Sequence, residues 1–145
     1  MPLELRALMP PNVTILNSIS NPEREQLYKT HHLFVLPSII EGFGLVYLEA
    51  LAAGLPILCT RNTGGADLIS DGVEGFIVDL GSSDAIVERI ELCLNDPDML
   101  FRMSAAARRV AALWTWPTFR TNLRRSLAEL ERTGTFRRAP TGQMQ

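Results

Sequence analysis

Cysteine occurs only twice in the 145 residues, as Cys59 and Cys93, with no CxxC pair and no metal-ligand spacing. The chain therefore reads as a reduced, cytoplasmic protein in which both thiols are small buried hydrophobes. An excess of either charge is also lacking, since 14 basic and 16 acidic residues leave a net charge of -2. That balance argues against an electrostatic nucleic-acid or membrane binder. No apolar run approaches the roughly 20 residues that span a bilayer. The opening Met-Pro-Leu-Glu-Leu-Arg lacks the charged-then-apolar pattern of a signal peptide. Internal repeats and low-complexity tracts are missing too. What remains is 46% hydrophobic and 21% charged residues, an ordinary globular balance, at about the length of one domain.

Along the chain, short apolar runs alternate with helical stretches, which predicts an α/β fold with a parallel sheet. Asn12–Leu16 reads as a first strand, and Asn21-Pro22 supplies a cap and a first-turn proline for a helix over Glu23–Thr30. Leu33–Leu36, halted by Pro37, has the continuous apolar character of a strand buried on both faces. A glycine-bearing stretch follows to Gly44, then a helix over Leu45–Ala53, with Gly54 placed for a left-handed cap and Pro56 beyond it. Leu55–Cys59 and Phe76–Val78 are further strands, the latter reached through turns at Asp71-Gly72 and Gly75. The remainder is helical. Ser83 caps one helix, Asp96-Pro97 opens a second with Leu100, Met103, Ala107, Val110 and Trp114 on one face, and Thr115 caps a third carrying Phe119, Leu123, Leu127 and Leu130. The expected domain is 1–133, with residues 134–145 a disordered tail.

The junction of strand, glycine-containing loop and helix around residues 36–45 is the geometry that binds phosphate. Free N–H groups of the first helical turn, aided by the helix dipole, face the crevice beyond the strand's carboxyl end. Gly42 and Gly44 let the backbone approach a ligand, and the amides around Phe43, Gly44 and Leu45 would face a diphosphate or a sugar hydroxyl. No Lys-Ser/Thr follows the loop and the spacing is not GxGxxG, which disfavours a nucleoside triphosphatase or a dinucleotide dehydrogenase. Glu41 lies in the loop and Glu49 one turn into the helix. The two oxygens of an ionised carboxylate match a pair of vicinal hydroxyls, so an acid at each end suits a sugar, diphosphate and second sugar in line. The plainer alternative also stands: a Glu early in a helix is favourable through the dipole alone, and glycine-rich strand–helix turns are common.

Phe34-Val-Leu-Pro-Ser38, Glu41-Gly-Phe-Gly-Leu45 and Glu49-Ala-Leu-Ala-Ala-Gly-Leu-Pro-Ile57 closely resemble the donor-site signature of family 4 glycosyltransferases of the GT-B fold, with the two acids spaced as its E-x7-E motif. Gly64-Gly65, Asp71–Val78 and Trp114-Thr-Trp116 follow in that family's order, so the resemblance covers about Val13 to Leu130. His31-His32 and Ala66-Asp67 depart from its usual pattern. The resemblance implies a Rossmann-like parallel sheet flanked by helices, with a helical C-terminus: the C-terminal, donor-binding half of a GT-B enzyme, N-terminally truncated. It implies retaining, metal-independent transfer of a hexose from a UDP- or GDP-sugar, without a cofactor. Glu41 would act at the transferred sugar as the catalytic-site acid, and Glu49 would hold the ribose hydroxyls. Gly42, Phe43 and Gly44 would bind sugar and phosphate through backbone, and Leu45 and Val46 the phosphates. The competing expectation is a non-catalytic module that keeps the fold and pairs with another copy through an exposed sheet edge.

Among the other residues, His31 and His32 read as helix-terminal or solvated, and Arg61 as a loop charge or an anion contact. Gly64-Gly65 reads as a simple turn or as part of the sugar pocket. Trp114 and Trp116 are expected to pack the last two helices together. Arg108-Arg109 and Arg124-Arg125 are expected on solvated helix faces.

Overall fold

The computed structural model describes residues 9–134; the expectation for the tail lies almost wholly outside them. Among these residues three short strands, β1 (Phe34–Leu36), β2 (Ile57–Thr60) and β3 (Gly75–Val78), form a parallel sheet in the order β1-β2-β3. Phe34 pairs with Ile57 and Leu36 with Cys59, while Ile57 pairs with Gly75 and Thr60 with Val78. Among the described residues six helices accompany them: α1 (Asn21–Thr30), α2 (Leu45–Ala53), the short α3 (Gly65–Leu68), α4 (Ser83–Asn95), α5 (Pro97–Ala111) and α6 (Trp116–Thr133).

The central strand explains the layering. All four residues of β2 are buried, as a parallel strand covered on both faces requires. Ile57 and Cys59 pack with Tyr47, Ala50 and Leu51 of α2, whereas Leu58 packs on the other side with Phe76, Val78, Cys93 and Met103. Helix α2 is apolar nearly all round, as a core helix is, and Glu49 is its only charged side chain.

The α/β expectation holds, and so do the starts of the later helices. Asp96 caps α5 by accepting from the Met99 amide at 2.8 Å, and Thr115 caps α6 by accepting from Thr118 at 3.3 Å. Two caps move by one residue. Ser20, in a reciprocal capping box with Glu23, opens α1, and Ser82 opens α4.

The strand expected over Asn12–Leu16 does not form. The chain instead turns here, with the Val13 amide donating to the Pro10 carbonyl; the run pairs with no strand among the described residues, and Val13 and Leu16 stay exposed. Helix α6 carries its apolar stripe but buries no residue. Trp116 is exposed, and its ring meets Phe119 of its own helix edge-on, rather than being buried between the last two helices. Arg108 is likewise not simply solvated: its guanidinium donates to the Ala53 carbonyl at the end of α2 and lies over Gly54.

Candidate functional site

The loop between β1 and α2 leaves the carboxyl end of the sheet and is fastened along its length. Tyr47, fully buried, donates its hydroxyl to the Leu36 carbonyl at 2.9 Å. Thr60, at the end of β2, donates to the Ser38 carbonyl, and the Asn62 amide donates to the Ile39 carbonyl. Backbone acceptors that a free loop would offer to water are thus taken up by side chains of the neighbouring β2–α3 segment.

Two glycines then set the loop's end. Gly44 has φ 68° and ψ 69° and is the residue before α2; a side chain there would be strained by about 1–2 kcal/mol and would meet the Tyr47 ring at 2.7 Å. Gly64 lies so close to the loop that a Cβ on it would sit 2.1 Å from the Phe43 carbonyl oxygen. The paired glycines are therefore more than a turn: Gly64 gives room for the loop backbone, and buried Gly65 lies against Cys59. Phe43 is held from a third direction by Trp114, with ring centroids 5.7 Å apart.

At this end α2 begins with no capping side chain and no acid in its first turn. Its leading amides, at Leu45 and Val46, point out of the helix start as the positive end of its dipole. Gly42 has open space where a Cβ would stand. Loop and helix start thus set Gly42, Phe43, Gly44, Leu45 and Val46 in succession after the exposed Glu41.

Glu49 lies one turn further along and faces α1. Arg24 places Nε 3.2 Å from Oε2 and donates through Nη2 to Oε1 at 3.5 Å, while the Tyr28 hydroxyl donates to Oε2 at 3.4 Å. The pair is about a third exposed on each side, so it stabilises the fold by no more than about 1 kcal/mol. Burial pushes the Tyr28 phenol up, and the adjacent Glu49 charge pushes it further; it stays protonated and remains a donor. The three residues line a cleft of about 330 Å³ between α1 and α2, together with Glu25, Lys29, Ala52 and Ala53. A second cleft of about 280 Å³ opens beside His31, His32 and Gly54, where β1 and β2 begin, and holds neither acid.

Arg24, Tyr28, Tyr47 and Asn62 were not evident as site residues in the sequence. A signal for the first two existed, since positions four apart share a helix face. His31 takes its expected helix-terminal place, its Nδ1 2.7 Å from the Leu27 carbonyl. Arg61 pairs with Asp79 at 3.6 Å on an exposed surface. Both cysteines are free and buried, and burial pushes the Cys59 thiol up to about 11.

Comparison with known proteins agrees with this geometry. Residues 4–110 match the model of the family described as glycosyl transferases group 1. The capsular polysaccharide biosynthesis glycosyltransferase CapM of Staphylococcus aureus is 39% identical over 89 residues, 61% of this chain and 23% of CapM. The crystal structure of Anabaena HepE in complex with UDP superposes with a TM-score of 0.66 at 26% identity, covering 72% of this chain and 29% of that one. Sucrose-phosphate synthase of Thermosynechococcus elongatus shares the fold, with a TM-score of 0.73 at 24% identity over 90% of this chain and 33% of that one. The chain thus spans about a quarter of CapM and about a third of each of these two structures. With a family match over most of its length and a GT-B-type sheet, loop and helix in place, this chain belongs to the glycosyl transferases group 1 family.

Proposed function

We propose that this chain is the donor-binding part of a retaining glycosyltransferase that takes a hexose from a nucleoside-diphosphate sugar. The observation that carries the reading is the start of α2. An uncapped, apolar helix follows a left-handed glycine, and its leading amides lie along the chain between Glu41 and Glu49. In this reading the amides of Phe43 to Val46 receive the diphosphate and stabilise the charge that develops on it as the sugar leaves. Glu49 accepts from the ribose hydroxyls and Glu41 contacts the transferred sugar. The helix terminus carries the phosphate charge, so the reading calls for no metal ion and no cofactor.

The UDP bound by HepE supports a nucleoside diphosphate as the ligand class; UDP and GDP are both compatible with the contacts described. Among the described residues no helix is long and apolar enough to cross a membrane, and two buried free cysteines suit a reducing cytoplasm. Calorimetric titration with UDP, GDP and, as a control, AMP tests the proposal. Saturable binding of one diphosphate, weakened about tenfold or more by Glu49→Ala, is expected from loss of charged hydrogen bonds. Equal, unsaturable heats for all three nucleotides would refute it.

A non-catalytic module is the second reading. It is favoured by the outer edge of β1, which pairs with no other strand among the described residues and could join a second copy. Light scattering that shows only monomer across the accessible concentration range would remove it.

A further inference from the structure

We propose that Arg24 and Tyr28 are positioning residues that aim the Glu49 carboxylate at a vicinal diol. The inference rests on the reading of Glu49 as the ribose-binding group and adds how that group is made selective. An ionised carboxylate offers about four lone-pair sites, two on each oxygen. Among the described residues, Oε1 accepts one hydrogen bond, from Arg24 Nη2, and Oε2 accepts one, from the Tyr28 hydroxyl. Arg24 Nε comes within 3.2 Å of Oε2, yet its N–H makes no aligned hydrogen bond. It supplies charge without taking the second lone pair.

Among the described residues, each oxygen therefore keeps one lone pair that α1 does not take up. That pattern fits two adjacent hydroxyls and fits a single hydroxyl poorly. The carboxylate also cannot turn without giving up both donors. Arg24 and Tyr28 stand four residues apart on α1, whose start is fixed by the Ser20–Glu23 capping box, and Tyr28 is anchored by edge-on packing against Phe34 of β1. Glu49 is thus oriented by a neighbouring helix rather than by its own.

The test compares affinities of the full chain for UDP and for 2′,3′-dideoxyuridine 5′-diphosphate. Glu49→Gln is expected to reduce the preference for the ribose form about tenfold or more. Arg24→Gln and Tyr28→Phe are each expected to reduce it about three- to fivefold while leaving affinity for the dideoxy form unchanged. A merely structural role would weaken both ligands alike. If Glu49→Gln removes the preference and the Arg24 and Tyr28 variants keep the wild-type ratio, positioning is overturned and the ribose reading stands. If wild type shows no preference, or Glu49→Gln leaves it intact, the ribose reading fails and this inference fails with it. A ligand-free measurement stands beside these. The Arg24 Nε–H resonance in ¹⁵N NMR should be distinct from those of solvated arginines and should move to their position in Glu49→Gln. An Arg24 signal already among them in wild type would overturn the proposal.

Discussion

Gly64 and Phe43 touch through their backbones: a Cβ on Gly64 would stand 2.1 Å from the Phe43 carbonyl oxygen. A glycine after β2 thereby fixes the height of a loop after β1, and the amides that follow Phe43 inherit that placement. Gly64→Ala is expected to push the loop away. Overpacking of this kind costs about 1–3 kcal/mol. A thermal melt should show a midpoint several degrees lower, and amide spectra should change most at Phe43 and Gly44. An unchanged midpoint would mean that the loop does not rest on Gly64.

The two loop glycines should separate by substitution. Gly42 has open space and no positive φ, whereas Gly44 has φ 68°. Gly42→Ala should leave stability unchanged or slightly raised, by up to about 1 kcal/mol, yet weaken diphosphate binding by filling the space above the loop. Gly44→Ala should lose about 1–2 kcal/mol of stability. Denaturant titration of both variants checks the contrast, and equal stability losses would contradict it.

The loop's position was partly readable in the sequence, and the reason is local chemistry. Helix starts at Asp96-Pro97 and Thr115 depend on one side chain and its own next turn, so they are visible without a fold. Leu45–Ala53 was visible as a helix because Gly44 and Gly54 bracket it. Asn12–Leu16 misled because a strand is defined by its partner, and an apolar run carries no record of whether one exists. The fastening of the loop was hidden for the same reason. Thr60, Asn62 and Gly64 act on residues more than 20 positions earlier. Arg24 and Glu49 are 25 apart and meet only because α1 packs beside α2. The two acids announced the site; what orients one of them did not appear until the helices were placed.

Cys59 gives a pH dependence with a definite sign. Burial raises its thiol from 9.0 to about 11, so the folded state holds that proton more tightly than the unfolded state does. Stability contributed by this group is complete below about pH 9 and falls as pH rises towards 11. Tyr28 and Tyr47 are also raised by burial and act in the same direction. Denaturant midpoints measured from pH 8 to 11 should therefore decline, and Cys59→Ala should flatten the first part of the decline. A midpoint constant over that range would contradict the burial of this thiol.

The central claim, that the start of α2 receives a nucleoside diphosphate, is tested most directly by amide NMR of the full chain titrated with UDP and GDP. The account predicts saturable shifts concentrated at Phe43, Gly44, Leu45 and Val46, with smaller ones at Glu49 and Arg24. It also predicts that Glu49→Ala weakens the binding while the same loop amides still respond. No change at these amides with either nucleotide at millimolar concentration, or shifts confined to the cleft beside His31 and His32, would contradict it.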